Sequence, residues 1–399
     1  MALLEGVRVL DLTNVLAGPF CCYQLAQLGA EVLKVEVPGS GDLARQLGAD
    51  PELNSKLMGA SFLAQNAGKR SITVNLKHAD GKAIFRKLVT TADVVVENFR
   101  PRVMERLGLG YKELQTSKGD LIYCAISGFG QDGPLKDNPA YDQIVQGLSG
   151  VMSITGDRHS APLRVGYPIA DTIGGVTAAF AIAAALFRRA RSGAGEFIDV
   201  SMLEATIASM GWAVSNWLIA GMAPQPMGNE NMTASPSGTF STRDGLLNIA
   251  ANEQNQFVTL CGLTGRQDLI ADPRFAQREE RKHYRQELKR EIEKALAAKS
   301  AREWSDIFNR NGVPAGEVLS IPEVLKHRQV VERGLVKRFP AATGADRELA
   351  MVRSGFRLAS GDPAPAAPPP TLGADTEAIL LELGYDRESI AQLRSSQVI

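Results

Sequence analysis

The 399-residue chain predicts an α/β protein, with a Rossmann-like parallel sheet in a large domain and a smaller α+β domain. Three observations predict this class. Short apolar runs alternate with helical stretches over the first third, as a doubly wound parallel sheet requires. Those runs carry few polar interruptions, the mark of strands buried on both faces. From about residue 238 the texture changes to a short β segment followed by charge-rich helices.

"VRVLDLT" reads as the first strand. The loop "TNVLAGP" follows, and Pro19 suits the first turn of the helix "FCCYQLAQLG", which Gly29 ends. "AEVLKVEVP", "SITVNL", "DVVVENF" and "LIYCAIS" are further strands, with a helix from Asp80 to Thr91 between the second and third of these. Asp171 stands at the N-cap position of a long apolar helix, "TIGGVTAAFAIAAALFRRA", with Gly174 and Gly175 near its start. Residues 201–221 read as one helix, and "PQPMGNENMTASPSG" reads as a loop. "GLLNIAA" and "QREERKHYRQELKREIEKALAAK" belong to the smaller domain. "DPAPAAPPP" is a proline-stiffened connector leading to a last amphipathic helix, "TEAILLELG".

Charge and composition narrow the function. The 44 basic residues balance 44 acidic ones without a cationic block, which argues against nucleic-acid and membrane partners. Cys21, Cys22, Cys124 and Cys261 lack metal spacing, and the four histidines are isolated, so neither a zinc site nor a Ser-His-Asp triad is indicated. The N-terminus reads as a strand rather than a signal peptide. The apolar core of the long helix, Ile173 to Phe187, is shorter than a membrane span. The expectation is a reduced, cytoplasmic enzyme.

"GFGQDG" matches a dinucleotide fingerprint, but Pro134 and "LKDNPAYD" follow where a helix should open, so it reads as a turn. "GKRS" lacks the upstream glycine of a phosphate-binding loop. "TNVLAGPF" joins strand to helix where open α/β folds bind anionic cofactors, although a plain turn would look the same. Lys69, Arg70, Lys77, Arg102 and Arg106 recur near strand ends, as solvated charges or as a polyphosphate site. Asp171 is the strongest candidate for chemistry, against its ordinary role as a cap. The two glycines, each costing about 1 kcal/mol in a helix, could let a bulky ligand approach or let the helix pack tightly.

Taken together, "LEGVRVLDLTNVLAGP", "LGAEVLKVEVPGSGD", "NAGKRSITVNLK", "ADVVVENFRP", "YDQIVQGLSGVMSITG", "GYPIADTIGG" and "PPPTLGADTEAILLELGYD" resemble the class III CoA-transferases, the CaiB/BaiF family, over essentially the whole chain. Asp375 departs from the tail pattern, where the family often carries histidine. The resemblance implies that Asp171 is the catalytic nucleophile, attacking an acyl-CoA thioester to give an aspartyl anhydride and then an aspartyl-CoA thioester. It implies that Leu16, Ala17, Gly18 and Pro19 line the pantetheine end. Val74, Lys77, Asn98, Phe99 and Arg106 would flank the nucleotide, and Tyr141 and Asp142 would lie near the acyl group. Val37 stands where a family member places an arginine near the adenine, so the resemblance does not carry that contact over.

Tyr141 aligns with the histidine of the family's α-methylacyl-CoA racemases, and a tyrosine is a poor base near neutrality, which favours transfer over racemisation. A non-catalytic acyl-CoA-binding protein is the alternative of another class, opposed by the intact aspartate and glycines. Leu16 replaces a glutamine of formyl/oxalate-type members and their glycine-rich loop is absent, which points away from formate and oxalate. Succinyl-CoA with a short dicarboxylate fits the overall resemblance, with Arg45 or Arg164, each equally suited to a structural ion pair, as candidate partners for a second carboxylate. No tightly bound cofactor is expected, CoA being a substrate. The family further implies an interlocked, ring-shaped homodimer. On that reading residues 1–205, completed by 335–399, form the large CoA-binding domain and 238–320 the small one, with linkers at 206–237 and 321–334.

Overall fold

The computed structural model describes residues 2–341 and 345–399. Its main sheet has six strands, β1 (Arg8–Asp11), β2 (Glu31–Glu36), β3 (Arg70–Thr73), β4 (Val94–Glu97), β5 (Ile122–Ser127) and β6 (Glu196–Ser201). They pair in the order β3-β2-β1-β4-β5-β6, every pair parallel. Strand order therefore reverses between β1 and β4, and the crevice beyond their carboxyl ends is where such sheets bind ligands.

Both faces are covered, as the apolar runs require. Leu10, Leu33, Val95 and Tyr123 point to one face, against Ile84, Phe85 and Leu88 of the Ala79–Thr90 helix and Ile379 and Leu393 of the C-terminal segment. Val9, Val32, Val94 and Cys124 point to the other, against Cys21, Cys22 and Leu25 of the Ala17–Gln27 helix and Ala178 and Ile182 of the Ile169–Ser192 helix. The C-terminal segment docks on β3 through backbone bonds. The Asp375 carboxylate accepts from the Ser71 amide at 2.8 Å, and the Thr376 hydroxyl accepts from the Thr73 amide at 3.1 Å. Asp375, the departure from the family tail, thus anchors that segment.

Contacts divide the chain into two units, one formed by residues up to Val151, Arg164–Met222 and Arg333–Ile399, the other by Met152–Leu163 and Ala223–Glu332. The first also holds the hairpin β10 (Val336–Phe339) and β11 (Leu349–Val352). The second is built on β7 (Ser237–Ser241), β8 (Leu246–Ala250) and β9 (Ala315–Glu317), an antiparallel sheet. Phe240, Leu247 and Ile249 of that sheet bury against Leu288 and Ile292 of the Arg285–Leu296 helix and Trp304 and Phe308 of the Ala301–Arg310 helix.

Several local expectations change. The helix read across residues 201–221 is strand β6 up to Ser201, then two helices, Met202–Ser209 and Gly211–Ala220, separated at Met210. Short helices Ile321–Lys326 and Arg328–Glu332 occupy the second predicted linker. The long apolar helix spans 24 residues, starting at Ile169 rather than Thr172 and running to Ser192, and is long and apolar enough by composition to cross a membrane. Its inner face, Gly174, Gly175, Ala178, Ile182 and Ala185, is instead buried in the core of the first unit.

Candidate active site

A cavity of about 870 Å³ opens beyond the carboxyl ends of β1, β2 and β3, within the first unit. Of the residues predicted to flank a nucleotide, Val74, Lys77, Phe99 and Arg106 line it, and so does Val37. Asn98, Leu16, Ala17, Gly18, Pro19, Tyr141 and Asp142 do not. Thr13 and Asn14, which open the "TNVLAGPF" loop, form one wall, and sequence reasoning missed Arg394, Gln397 and Ile399, from the C-terminal segment, on another. Lys77, Arg106 and Arg394 give the cavity three cations. Among the described residues neither Lys77 nor Arg106 is in an ion pair, and Arg394 approaches Glu377 only at 3.7 Å.

Three other basic candidates, Arg45, Lys69 and Arg70, are structural. Arg45 is fully buried, donating to both Glu36 carboxylate oxygens at 2.7 Å and lying 3.7 Å over the Phe62 ring, so it is closed to any substrate carboxylate. Lys69 is buried against Asp11 at 2.8 Å, and Arg70 pairs with Glu31 and Glu382. Lys34, also buried, reaches Asp42 at 2.9 Å and Asp11 at 3.7 Å. Burial alone would raise the Asp11 carboxyl, but the charges of Lys34 and Lys69 outweigh it and hold the group at about 2. This network underlies the first βα turn. The Lys34 ammonium donates to the Thr13 carbonyl at 2.5 Å and that of Lys69 to the Pro19 carbonyl at 3.0 Å.

The turn itself is tightly specified. Asn98 donates to the Asn14 carbonyl and accepts from the Asn14 amide, both at 2.8 Å. Asn98, read from sequence as a nucleotide contact, therefore grips the turn. Val15 adopts a left-handed φ of 67°, and the Asp42 carboxylate accepts from its amide at 2.9 Å. A Cβ on Gly18 would lie 2.3 Å from Thr13, so only glycine fits there. Beside the turn, the Glu97 carboxylate accepts from the Phe99 amide at 2.7 Å and so fixes that wall of the cavity. Burial pushes the Glu97 carboxyl up to about 8.

Asp171 lies in the first turn of the Ile169–Ser192 helix, whose N-cap is Pro168. The capping role expected of Asp171 belongs to Asp142. Its carboxylate accepts from the Ala170 amide at 2.9 Å and the Asp171 amide at 3.4 Å, and is itself held by the Gln146 amide group at 2.6 Å. Arg164 approaches Asp142 at 3.7 Å and stays half exposed. Among the described residues nothing donates to the Asp171 carboxylate. Desolvation first, and the neighbouring Asp142 charge second, push that carboxyl up to about 7. Tyr141, at the N-cap of the Asp142–Leu148 helix, is 67% exposed.

The glycines answer to packing. A Cβ on Gly175 would meet the Ala17 carbonyl at 2.5 Å, and one on Gly174 would meet the Met202 side chain at 2.9 Å. Gly175 follows Asp171 by four residues and so shares its helix face. The first βα turn therefore abuts the helix one turn from the Asp171 side chain. The arrangement joins a cationic cavity, a rigid backbone turn and a desolvated carboxylate with no hydrogen-bond donor. That combination suits covalent group transfer from a ligand with an anionic end.

Comparison with known proteins agrees. Residues 4–376 match the family model described as CoA-transferase family III. Succinyl-CoA:glutarate CoA-transferase of Mus musculus is 37% identical over 401 residues, covering 99% of this chain and 90% of that protein. Acetyl-CoA:oxalate CoA-transferase of Acetobacter aceti is 41% identical over 333 residues, covering 83% and 85%. A CAIB/BAIF family protein from Brucella suis superposes with a TM-score of 0.83 at 32% identity, covering 95% of this chain and 99% of that one. With fold and nearly full-length similarity in agreement, the chain belongs to CoA-transferase family III and is an enzyme of that class.

Proposed function

We propose that this enzyme moves CoA from succinyl-CoA to a short dicarboxylic acid, glutarate being the first candidate, through covalent intermediates on Asp171. The observation that carries the reading is the Asp171 carboxylate, desolvated and relieved of capping duty by Asp142. The ionised carboxylate attacks the thioester carbonyl, and the C–S bond breaks to give an aspartyl–acyl anhydride and CoA thiolate. The thiolate attacks the aspartyl carbonyl, giving an aspartyl-CoA thioester and the donor acid. An acceptor carboxylate then reverses these steps and carries CoA away. Helix N-terminal amides near Asp171 favour the developing negative charge.

The nucleotide lies in the cavity with its phosphates on Lys77, Arg106 and Arg394, and Val74 and Phe99 against its apolar surface. Pantetheine crosses Leu16, Ala17, Gly18 and Pro19 toward Asp171. Arg164 is the candidate partner for a second carboxylate now that Arg45 is buried. CoA is a substrate here, not a resident cofactor. The reading includes a cytoplasmic homodimer. What supports the dimer is an exposed apolar surface on the first unit, Val176, Phe180 and Phe187 on one helix and Trp212, Trp217 and Leu218 on another.

The test is incubation with succinyl-CoA and a panel of short dicarboxylic acids in heavy water, read by mass spectrometry. The expected result is glutaryl-CoA without deuterium at the α carbon, abolished by Asp171→Ala. Deuterium uptake into a branched acyl-CoA with no exchange of acids would establish racemase chemistry instead. The Acetobacter relative favours a second acceptor, so the panel includes oxalate with acetyl-CoA. Preferred turnover of that pair would overturn the reading of Leu16.

A further inference from the structure

We propose that Asp42 is a positioning residue for CoA transfer, acting through the backbone of Val15, with Asn98 closing the same clamp from the opposite side. The inference rests on the transferase reading above. Its geometry centres on one peptide group. The carbonyl of Asn14 and the amide of Val15 are the two ends of a single peptide plane. Asn98 donates to the first at 2.8 Å, and Asp42 accepts from the second at 2.9 Å. Gripped at both ends, the plane cannot rotate, and φ of Val15 is set at 67°.

That angle is costly for a β-branched side chain and persists only where the surroundings over-determine it. Asp42 is suited to enforce it. It is buried, its second oxygen is 2.9 Å from the buried Lys34 ammonium, and its first also accepts from the Ala44 amide. Downstream of Val15, the Ala17 carbonyl lies against Gly175, one helical turn from Asp171, so the peptide plane sets where the turn meets that helix. Asn14 and Asp42 line the cavity while Asp171 does not. The clamp therefore stands between the binding cavity and the nucleophile, where it governs the approach of a bound thioester rather than the strength of binding.

A double-mutant cycle tests this. Asp42→Asn in the parent enzyme is expected to lower kcat at least about tenfold with KM for succinyl-CoA within about threefold. Glycine reaches a left-handed φ without strain. In the V15G background the turn no longer needs forcing, so the same D42N change is expected to lower kcat less than about threefold. An equal penalty in both backgrounds, or a loss confined to KM, overturns the proposal. Should D42N fail to fold, Asn98→Ala cuts the other grip, leaves the ion network whole and carries the same cycle. Amide hydrogen exchange over residues 13–18 reads the clamp without substrate, and D42N or N98A should speed it at least about tenfold. Unchanged exchange in both also overturns the clamp. A parent that exchanges CoA between no pair of acids would instead defeat the substrate reading, with hydrogen exchange still deciding the clamp.

Discussion

The Asp142 carboxylate caps the helix that carries Asp171, accepting from the Ala170 amide at 2.9 Å and standing 3.4 Å from the amide of Asp171 itself. One acid thereby does the structural work at this helix start and leaves the other carboxylate without a capping role. The same proximity places two negative charges together, and Asp171 carries the consequence in a carboxyl raised to about 7.

The pH dependence follows. On the proposed mechanism the ionised Asp171 attacks, so kcat/KM should rise with pH through about 7 and fall to about a tenth of its plateau at pH 6. Asp142→Asn removes the charge and keeps an acceptor for the helix amides. It should move the acid limb of the pH–rate profile toward lower pH, and stopped-time assays from pH 5 to 9 would measure it.

Stability should vary in the opposite sense. The native Asp171 carboxyl binds its proton more tightly than the unfolded one, so the native state holds the extra proton between about pH 4 and 7 and loses stability as pH rises through that window. The penalty is absent below pH 4 and complete above 7, on the order of a few kcal/mol. Asp171→Asn is therefore expected to raise Tm relative to the parent at pH 8, with the gain shrinking at pH 5. Calorimetry at both values checks it.

Gly175 should prove structural before it proves catalytic. Gly175→Val drives a side chain into the Ala17 carbonyl, 2.5 Å from the Cβ position, and should destabilise the fold by about 3 kcal/mol or more. Gly174→Ala meets only the flexible Met202 side chain and should cost less than about 1.5 kcal/mol. Denaturant unfolding separates the two. Of the two roles the sequence leaves open to these glycines, the contacts favour tight packing over admitting a bulky ligand.

Arg45 and the cavity cations should behave as opposites. Arg45→Ala strands the buried Glu36 charge and should cost about 3–5 kcal/mol of stability, with no selective rise in KM for the acceptor acid. Lys77→Ala and Arg106→Ala should leave Tm near the parent value and raise KM for acyl-CoA about three- to tenfold each, more at low salt. Thermal melts beside steady-state kinetics decide between the patterns.

How much was legible depended on whether a residue's partner is local. Strands β1 to β5 could be read because each is a continuous buried run. Strand β6 was not, because "EFIDVS" sits at the sheet edge and its first four residues alternate half-buried with exposed, only Val200 and Ser201 being buried. Sequence left Arg45 open between a substrate cation and a structural ion pair, because it does not show that Arg45 and Glu36, on the preceding strand, are buried together. Asp171 looked like a cap because the true cap, Asp142, lies 29 residues earlier on another helix. Lys77 and Arg106 could be placed at the cavity, but Arg394 could not, since only the return of the C-terminal segment to β3 brings it there.

That return has a consequence for synthesis. The walls of the cavity come from Leu12 to Leu107 and from Arg394 to Ile399, with the second unit encoded between them. On the ribosome, at about 5–20 residues per second, the first walls wait tens of seconds for the last. During that interval the open edge of β3, later covered by Asp375 and Thr376, is free to pair with a neighbouring nascent chain. Slow translation of the middle of the message would lengthen the exposure, so the yield of active enzyme should respond to chaperone supply more than the stability of the finished fold suggests.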